Sequence, residues 1–510
     1  MLSPTTIWIA FAIYMCFLLS VAFYVTQKEK KQKVSGGLLK TSVAWPILVM
    51  TYIASLMSTW VFFAGPGAYY RGGMGYWLSE ISYIALFPII AHFTMNKVWM
   101  INQEKGGTYV TPADFYFERF KSPALRTILG LIFLAASFPY ISSVLVAIAQ
   151  AADYATGGAI NYQTAVIVVG LIMTIFVCIG GVKSAATADT VQGLLFIGLL
   201  WFIVIACLIV GFGGSLTAAV NTLWTNTPAF FSYPGPSGWV TNASRFGYPF
   251  ACAIGWTIML PHVFVRAGYF GDNLKAQRKL SYIAPLLQAL VWTGTMLIGL
   301  IGLALVSNLT KGDTELIIPY MINNFVIAFN PTLAVFMMVA FFVGALAVGL
   351  STANAFLTIA SGIVSSDLIK HTFHVNVPAE KENLVNRIII AVLGLGSLLI
   401  AINPPELIFT MIMFSIAIVM PLFPILVFGL YWKKATKQAA IAATIVGVIL
   451  VLSTYFVWHL GDTWYGAIGL FGATITMVVV SLFTQQDEAD SKEFYDTCDR
   501  ANKRFYEIQE

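Results

Sequence analysis

Residues 54 to 67 read Ala-Ser-Leu-Met-Ser-Thr-Trp-Val-Phe-Phe-Ala-Gly-Pro-Gly. The stretch closes an apolar run, 41 to 63, that is long enough to cross a hydrocarbon core, which takes about 20 helical residues. Ser55, Ser58 and Thr59 place hydroxyls inside that run, and Gly65, Pro66 and Gly67 break the helix just after them. Irregular backbone at membrane depth is tolerated only where protein or a water-lined cavity surrounds it. The segment therefore belongs inside a bundle of membrane helices.

The rest of the chain agrees. Its 510 residues are 58% hydrophobic and 10% charged, with a mean hydropathy of +0.81, whereas soluble domains are about a quarter charged. Thirteen apolar runs of spanning length follow one another, from 6–25 to 463–484, so the expected class is all-α, a polytopic membrane protein of 13 transmembrane helices. Thr6 to Val25 lacks a basic leader and reads as a retained first span. The five cysteines form no metal-type or redox-type pair and read as packing residues.

Charge sets an orientation. With thirteen spans the connectors fall into two sets, and 25 of the 28 Lys and Arg residues lie in one of them. The other set holds Arg71, Arg245 and Lys311. The positive-inside rule then puts the amino terminus outside and the carboxyl terminus in the cytoplasm of a cell bounded by this membrane. This bias accounts for the net charge of +5 and calls for no nucleic-acid partner. The tail from 485 to 510 is charged throughout and reads as a solvated extension.

A second break lies at Pro261, in Met259-Leu-Pro-His262, after Gly255, Trp256 and Thr257. The two broken spans each open a block of five, 41–212 and 247–434, and an odd number of spans makes the blocks run oppositely through the membrane. The remaining divisions are 1–40, the connector 213–246, the last two spans at 435–484 and the tail. Interrupted helices at matching places in inverted repeats point to a transporter's midplane binding site. Freed carbonyls there suit a cation.

Several polar side chains fit such a site. Ser351 and Thr352 follow Val348 by three and four residues, on one helical face, and neutral oxygens bind sodium loosely enough to release it. Hydroxyls in membrane helices also commonly bond back to their own backbone. Asp189 lies near the cytoplasmic start of the sixth span, where it serves cation release or pairs with Lys183. Glu80 anchors a solute hydroxyl or amine, or sits among outer headgroups. Arg266 is expected to snorkel to the inner surface, and His262 to cap exposed backbone. Around the two breaks Ser58, Thr59, Phe62, Glu80, Tyr83, Trp256, Thr257 and Met259 are the expected walls of a solute pocket. No phosphate loop, His-Glu-x-x-His, nucleophile elbow or zinc spacing occurs in the sequence, so no enzyme and no ATP-driven pump is expected.

These segments resemble the sodium:solute symporter family from about residue 10 to 480. Ala54 to Trp60 with Gly65-Pro-Gly-Ala68 looks like that family's broken first core helix, Gly180 to Gln192 like its Gly-Gly…Asp-x-x-Gln signature, and Leu350-Ser-Thr-Ala-Asn-Ala355 like its sodium-site helix. Leu260-Pro-His262, Asn403-Pro-Pro-Glu406 and Gly429-Leu-Tyr-Trp-Lys-Lys434 look most like the pantothenate symporters within it.

The resemblance implies a LeuT-type 5+5 inverted repeat. It also implies a sodium site of the Ala54, Met57 and Val348 carbonyls with the Ser351 and Thr352 hydroxyls, with Asp189 on the sodium exit route. Where some members bind a second sodium through two further hydroxyls this chain has Asn354 and Ala355, which puts a second ion in doubt. Leu56 stands where proline transporters of the family carry an aspartate, and Glu80 where sugar transporters have a substrate-binding acid. The expected activity is sodium symport of a small organic solute by alternating access, in the cytoplasmic membrane, with Na+ as coupling ion and no organic cofactor. A pantothenate-like carboxylate leads, and an amino acid, monocarboxylate or sugar is the alternative. A sensor or channel on the same scaffold is the alternative of another class; a sensor needs a soluble signalling domain, for which the tail is short.

Overall fold

The computed structural model describes residues 2–32, 42–179, 182–232, 236, 247–306, 308–460, 464, 466–485 and 487–506. The helices that matter below are α1 (Pro4–Gln32), α2 (Trp45–Met57), α3 (Ala64–Gly72), α4 (Met74–Phe93), α5 (Met95–Glu104), α6 (Pro112–Phe120), α7 (Pro123–Thr156), α8 (Tyr162–Ile179) and α9 (Val182–Phe212). They continue as α10 (Leu216–Asn226), α11 (Gly247–Met259), α12 (Pro261–Tyr269), α13 (Leu274–Leu305), α14 (Pro331–Thr372), α15 (Ala379–Ile402) and α16 (Ile408–Tyr431). The last three are α17 (Lys437–Phe456), α18 (Ala467–Phe483) and α19 (Glu488–Tyr506).

Ten helices among the described residues are long and apolar enough to cross a membrane, and α11 with α12, bent by 62°, makes an eleventh. The other two of the thirteen apolar runs fall on α2, of 13 residues, and α18, of 17. α2 is short because its span is broken and resumes as α3. Helix starts follow local chemistry. Thr111 and Asp114 form a capping box at α6 ahead of Pro112, Asn273 caps α13 at the Ala276 amide, and Asn330 caps α14 at the Leu333 amide with Pro331 next.

The break in the first broken span lies earlier than its glycines and proline suggest. α2 ends at Ser58, which has φ 45°, a 3-10 turn covers Thr59–Val61, and Gly65, Pro66 and Gly67 fall in the first turn of α3. Proline is tolerated there because first-turn amides have no intrahelical partner. The glycines serve packing instead: a Cβ on Gly65 would lie 2.5 Å from Thr295 Cγ2, and one on Gly67 2.8 Å from the Thr314 carbonyl. In the second broken span Leu260 is extended, φ −60° and ψ 133°, as a residue before proline prefers, and α12 starts at Pro261.

Around these breaks α2 packs on α9 and α13, α14 on α7 and α9, and α13 on α3 and α4. α15 lies on α7 and α8, α16 on α7, and α17 on α18. The connector at 213–246 contains α10 and a turn at Pro228–Phe231; Arg245 lies outside the described residues, as do Gly180 and Gly181. Gln192, from the same signature, donates to the Tyr14 hydroxyl at 2.8 Å and so ties α9 to α1. The tail is not the solvated extension expected: α19 buries Phe494, Thr497 and Ala501 against the body of the protein.

Candidate functional site

A helix leaves its last four carbonyls without intrahelical partners. At the end of α2 these groups are taken up by side chains from three other helices. Ser351 Oγ on α14 donates to the Ala54 carbonyl at 2.8 Å, His262 Nε2 on α12 lies 3.1 Å from the Ser55 carbonyl, and Trp256 Nε1 on α11 donates to the Leu56 carbonyl at 2.9 Å. Met57 is buried in the same turn. His262 thus serves the exposed backbone, as its place after the break suggests.

Ser351 Oγ and Thr352 Oγ1 both lie 2.9 Å from the Val348 carbonyl, the local back-bonding common to membrane helices. The bond from Ser351 to Ala54 is different, because it crosses to another helix. Two carbonyls and two hydroxyls, from Ala54, Val348, Ser351 and Thr352, therefore converge at the break, all fully buried. Neutral oxygen donors of this kind match a hard cation's preference. One turn on, the Asn354 carbonyl accepts from Thr358 at 2.7 Å, and Ala355 offers no side-chain oxygen.

The expected pocket walls are closed over one another. Ser58 Oγ accepts from the Trp60 amide at 3.3 Å, and the buried Thr59 hydroxyl has no hydrogen-bond partner among the described residues. Thr257 Oγ1 bonds its own helix at Ala253, while the Thr257 carbonyl accepts from Tyr52 at 2.8 Å. Met259 is buried at the break, and Phe62 faces α14, with its ring centroid 6.4 Å from that of Phe341. The Tyr83 side chain lies outside the described residues. Trp256 packs on Trp60 and Trp292 at centroid distances of 5.0 and 5.4 Å, and Phe409 closes the cluster 5.1 Å from Trp60. The cavity bounded by Leu56, Cys252, Trp256, Thr257 and Trp292 measures about 10 Å³, room for one water. Trp60, Trp292 and Phe409 were not among the expected walls; Trp60 stands in the quoted motif itself, but nothing in sequence spacing brings Trp292 or Phe409 to it.

Glu80 is fully buried on α4, its side chain enclosed by protein. Its carboxylate accepts from the Tyr69 hydroxyl on α3 and from the Tyr248 hydroxyl on α11 at 3.1 Å. One acid thus joins the halves of both broken spans that face away from the basic end. At the basic end Asp189 on α9 plays the matching part. Its partner is Arg266 on α12, 3.2 Å away, and Thr51 on α2 donates to the same oxygen at 2.6 Å. Arg266 therefore does not snorkel: with 2% of its surface exposed it is held by Asp189, by Thr51 and by the His262 carbonyl. The Lys183 side chain lies outside the described residues.

Two broken spans, the loose carbonyls at the end of α2 bonded by side chains of α11, α12 and α14, and an acid tying the halves at each end, match the pattern of a secondary transporter. The sodium:solute symporter family model matches residues 38–447, and the chain belongs to that family. It is a multi-pass, sodium-coupled solute transporter and not an enzyme. Its relatives include the sodium/pantothenate symporter of Escherichia coli K12, 28% identical over 87% of this chain and 90% of that protein. The sodium/pantothenate symporter of Haemophilus influenzae is 26% identical over 86% and 87%. A solved Na+-coupled sialic acid symporter, substrate-bound and outward-open, superposes with a TM-score of 0.77 at 18% identity, covering 93% of this chain and 98% of that one. That likeness shows the fold, the LeuT-type arrangement.

Proposed function

We propose that this symporter carries a small pantothenate-like carboxylate inward with sodium, across a cytoplasmic membrane, with its amino terminus outside and its carboxyl terminus inside. The motifs at Leu260 to His262, Asn403 to Glu406 and Gly429 to Lys434 support the solute class, as do the two pantothenate-symporter relatives. The basic connectors support the orientation. In this reading 41–212 and 247–434 are the inverted repeats, and the spans outside them flank the transport core.

Sodium is assigned to the Ala54, Met57 and Val348 carbonyls with the Ser351 and Thr352 hydroxyls. The observation that carries the assignment is the bond from Ser351 to Ala54 across two helices. When the ion arrives, the hydroxyl hydrogens turn away and the oxygens face it, so sodium fixes the end of α2 to α14 in their place. Fixing that end orders Ser58 and Thr59 and completes the solute site between the breaks, among Phe62, Glu80, Tyr83, Trp256, Thr257 and Met259. By linkage, solute must then raise sodium affinity by the factor that sodium raises solute affinity. Asp189 lies on the exit route, and its second oxygen, buried and without a hydrogen-bond partner among the described residues, offers the departing ion a ligand once α12 swings.

Glu80 favours a second reading. A buried acid with tyrosine partners would welcome a solute amine or hydroxyl, as in an amino acid or a sugar, more readily than a carboxylate. Proteoliposomes under an inward sodium or potassium gradient separate the two. Sodium-driven accumulation of pantothenate supports the first reading. Accumulation of an amino acid or sugar with none of pantothenate replaces it with the second.

A further inference from the structure

The C-terminal helix α19 carries a face that its overall charge conceals. Ser491, Phe494, Cys498, Ala501 and Phe505 recur at spacings of three and four, and this stripe turns toward the protein. Its first half rests on the end of α16. Ser491 Oγ donates to the Lys433 carbonyl at 3.3 Å, Tyr495 donates to the Gly429 carbonyl at 3.1 Å, and the buried Arg119 of α6 bonds the same carbonyl at 2.9 Å with its guanidinium against Phe494 and Tyr495.

Its second half rests on α5. Ala501 packs with Trp99, Met100 and Leu274, the Phe505 ring lies 5.2 Å from that of Trp99, and Arg500 and Arg504 pair with Glu104 at 3.5 and 3.3 Å. α5 in turn supports the broken span. Trp99 Nε1 donates to the Gly271 carbonyl at 2.7 Å, and Gly268 sits so close to α5 that a Cβ would meet Val98 at 3.1 Å. The elbow after α12 is also tied to the start of α2, because the Val43 amide donates to Phe270 at 2.9 Å and the Asp272 amide to Val43 at 3.1 Å. The ends of both broken spans at this side thus hang together on α5.

From this we infer that α19 is a strut that positions α12: by bridging α5 to the end of α16 it sets how readily the halves α2 and α12 swing away from the bundle. Trp99, Ala501 and Phe505 are positioning residues in this role and touch no transported species. A swing of α12 carries the Phe270 to Asp272 elbow, Val43 and α5 with it, and the contacts of α19 with Gly429 and Lys433 must then slide or part. The inference rests on the reading that α12 moves during transport.

Hydrogen exchange on the full-length protein in nanodiscs tests both and tells them apart. In the unsubstituted chain, sodium in place of potassium should slow exchange over 261–272; no sodium effect there sinks the transport reading itself. Two variants undock α19: Ala501→Glu, which puts a charge against Trp99 and Leu274, and the pair Arg500→Glu with Arg504→Glu. Each should speed exchange over 261–272 by about fivefold, the low end of typical couplings between sites, while 437–456 exchanges as before. Each should also raise the sodium concentration needed for half-maximal uptake, which a purely structural role would not do at constant protein amount. Adding Glu104→Arg to the arginine pair should restore both values. Free exchange along 488–506 with 261–272 unchanged overturns the inference. Continued protection of 488–506 in both variants overturns it too, since the contacts named would then not hold the helix.

Discussion

Arg266 on α12 pairs with Asp189 on α9 at 3.2 Å, and neither side chain reaches solvent. Thr51 closes the arrangement, donating to the carboxylate and accepting from Arg266 Nε at 3.1 Å, so one polar knot holds α2, α9 and α12 together at the basic end. For the inner halves of the broken spans to part, this knot must open. In the proposed transport cycle, that opening frees Asp189 to ligate an ion leaving the site proposed at Ala54 and Ser351.

Removing one member of the pair strands the other. Arg266→Ala should destabilise the protein by about 3–5 kcal/mol, because a buried carboxylate is left uncompensated. Arg266→Ala combined with Asp189→Ala should cost less than the sum of the two single changes. Thermal unfolding in detergent measures this, and strictly additive losses would show that the two side chains do not act on each other.

At the opposite end Glu80 answers to Tyr69 and Tyr248. Tyr248→Phe deletes one donor to a buried carboxylate and should cost roughly 1–3 kcal/mol. Glu80→Gln, which keeps one acceptor oxygen, should cost less than Glu80→Ala. Because these bonds span α3 and α11, labelling of a cysteine placed on α3 should also quicken in Tyr248→Phe; unchanged labelling would deny Glu80 its part in holding the two halves.

The second half of the first broken span approaches α13 at Gly299, where a Cβ would lie 2.5 Å from the Pro66 carbonyl and 2.6 Å from Tyr69 Cβ. Gly299→Ala must push α3 aside, an overpacking cost of about 1–3 kcal/mol. Thermal unfolding and uptake should fall together, and a variant as stable and as active as the parent would contradict the contact.

Much of this was legible from residues alone, for physical reasons. Hydropathy marks spans because lipid admits only helices with satisfied backbones, and Ser351 and Thr352 were legible because their spacing from Val348 fixes a shared helical face. Arg266 was misplaced: at the end of an apolar run an arginine defaults to snorkelling, and only tertiary packing supplies the acid from α9. The break was expected at Gly65 to Gly67, yet Ser58 carries it, since proline and glycine in the first turn of a helix start it instead of ending it. α19 was hidden because a stripe of five small and aromatic residues is diluted by the surrounding charge. The aromatic cluster of Trp60, Trp292 and Phe409 joins segments far apart in the chain, which no local pattern announces.

Docking of α19 should be insensitive to pH near neutrality and sensitive to salt. Hydrogen bonding to Lys105, with Lys121 nearby, holds the Glu493 carboxyl below its usual range, so its contribution is present above the ordinary glutamate value and is lost as pH falls through the lowered one. Burial pulls Lys105 down, but Glu118 and Glu493 outweigh it and leave it raised, so its contribution is complete below the ordinary lysine value and fades only as pH rises past the raised one. Both groups are therefore charged from pH 6 to 9. Protection of 488–506, taken relative to the intrinsic exchange rate at each pH, should hold steady across that range and fall in roughly 1 M salt, where screening is close to 3 Å.

The most direct test of the central claim asks whether Ser351 and Thr352 bind sodium. Thermal unfolding of purified protein is followed as sodium replaces potassium at constant ionic strength. The native chain should gain stability with sodium, by about 2.7 kcal/mol at a hundred times the dissociation constant. Ser351→Ala with Thr352→Ala should fold, lose that sodium-specific gain and unfold alike in either salt. A double variant that sodium stabilises as much as it does the native chain would contradict the account.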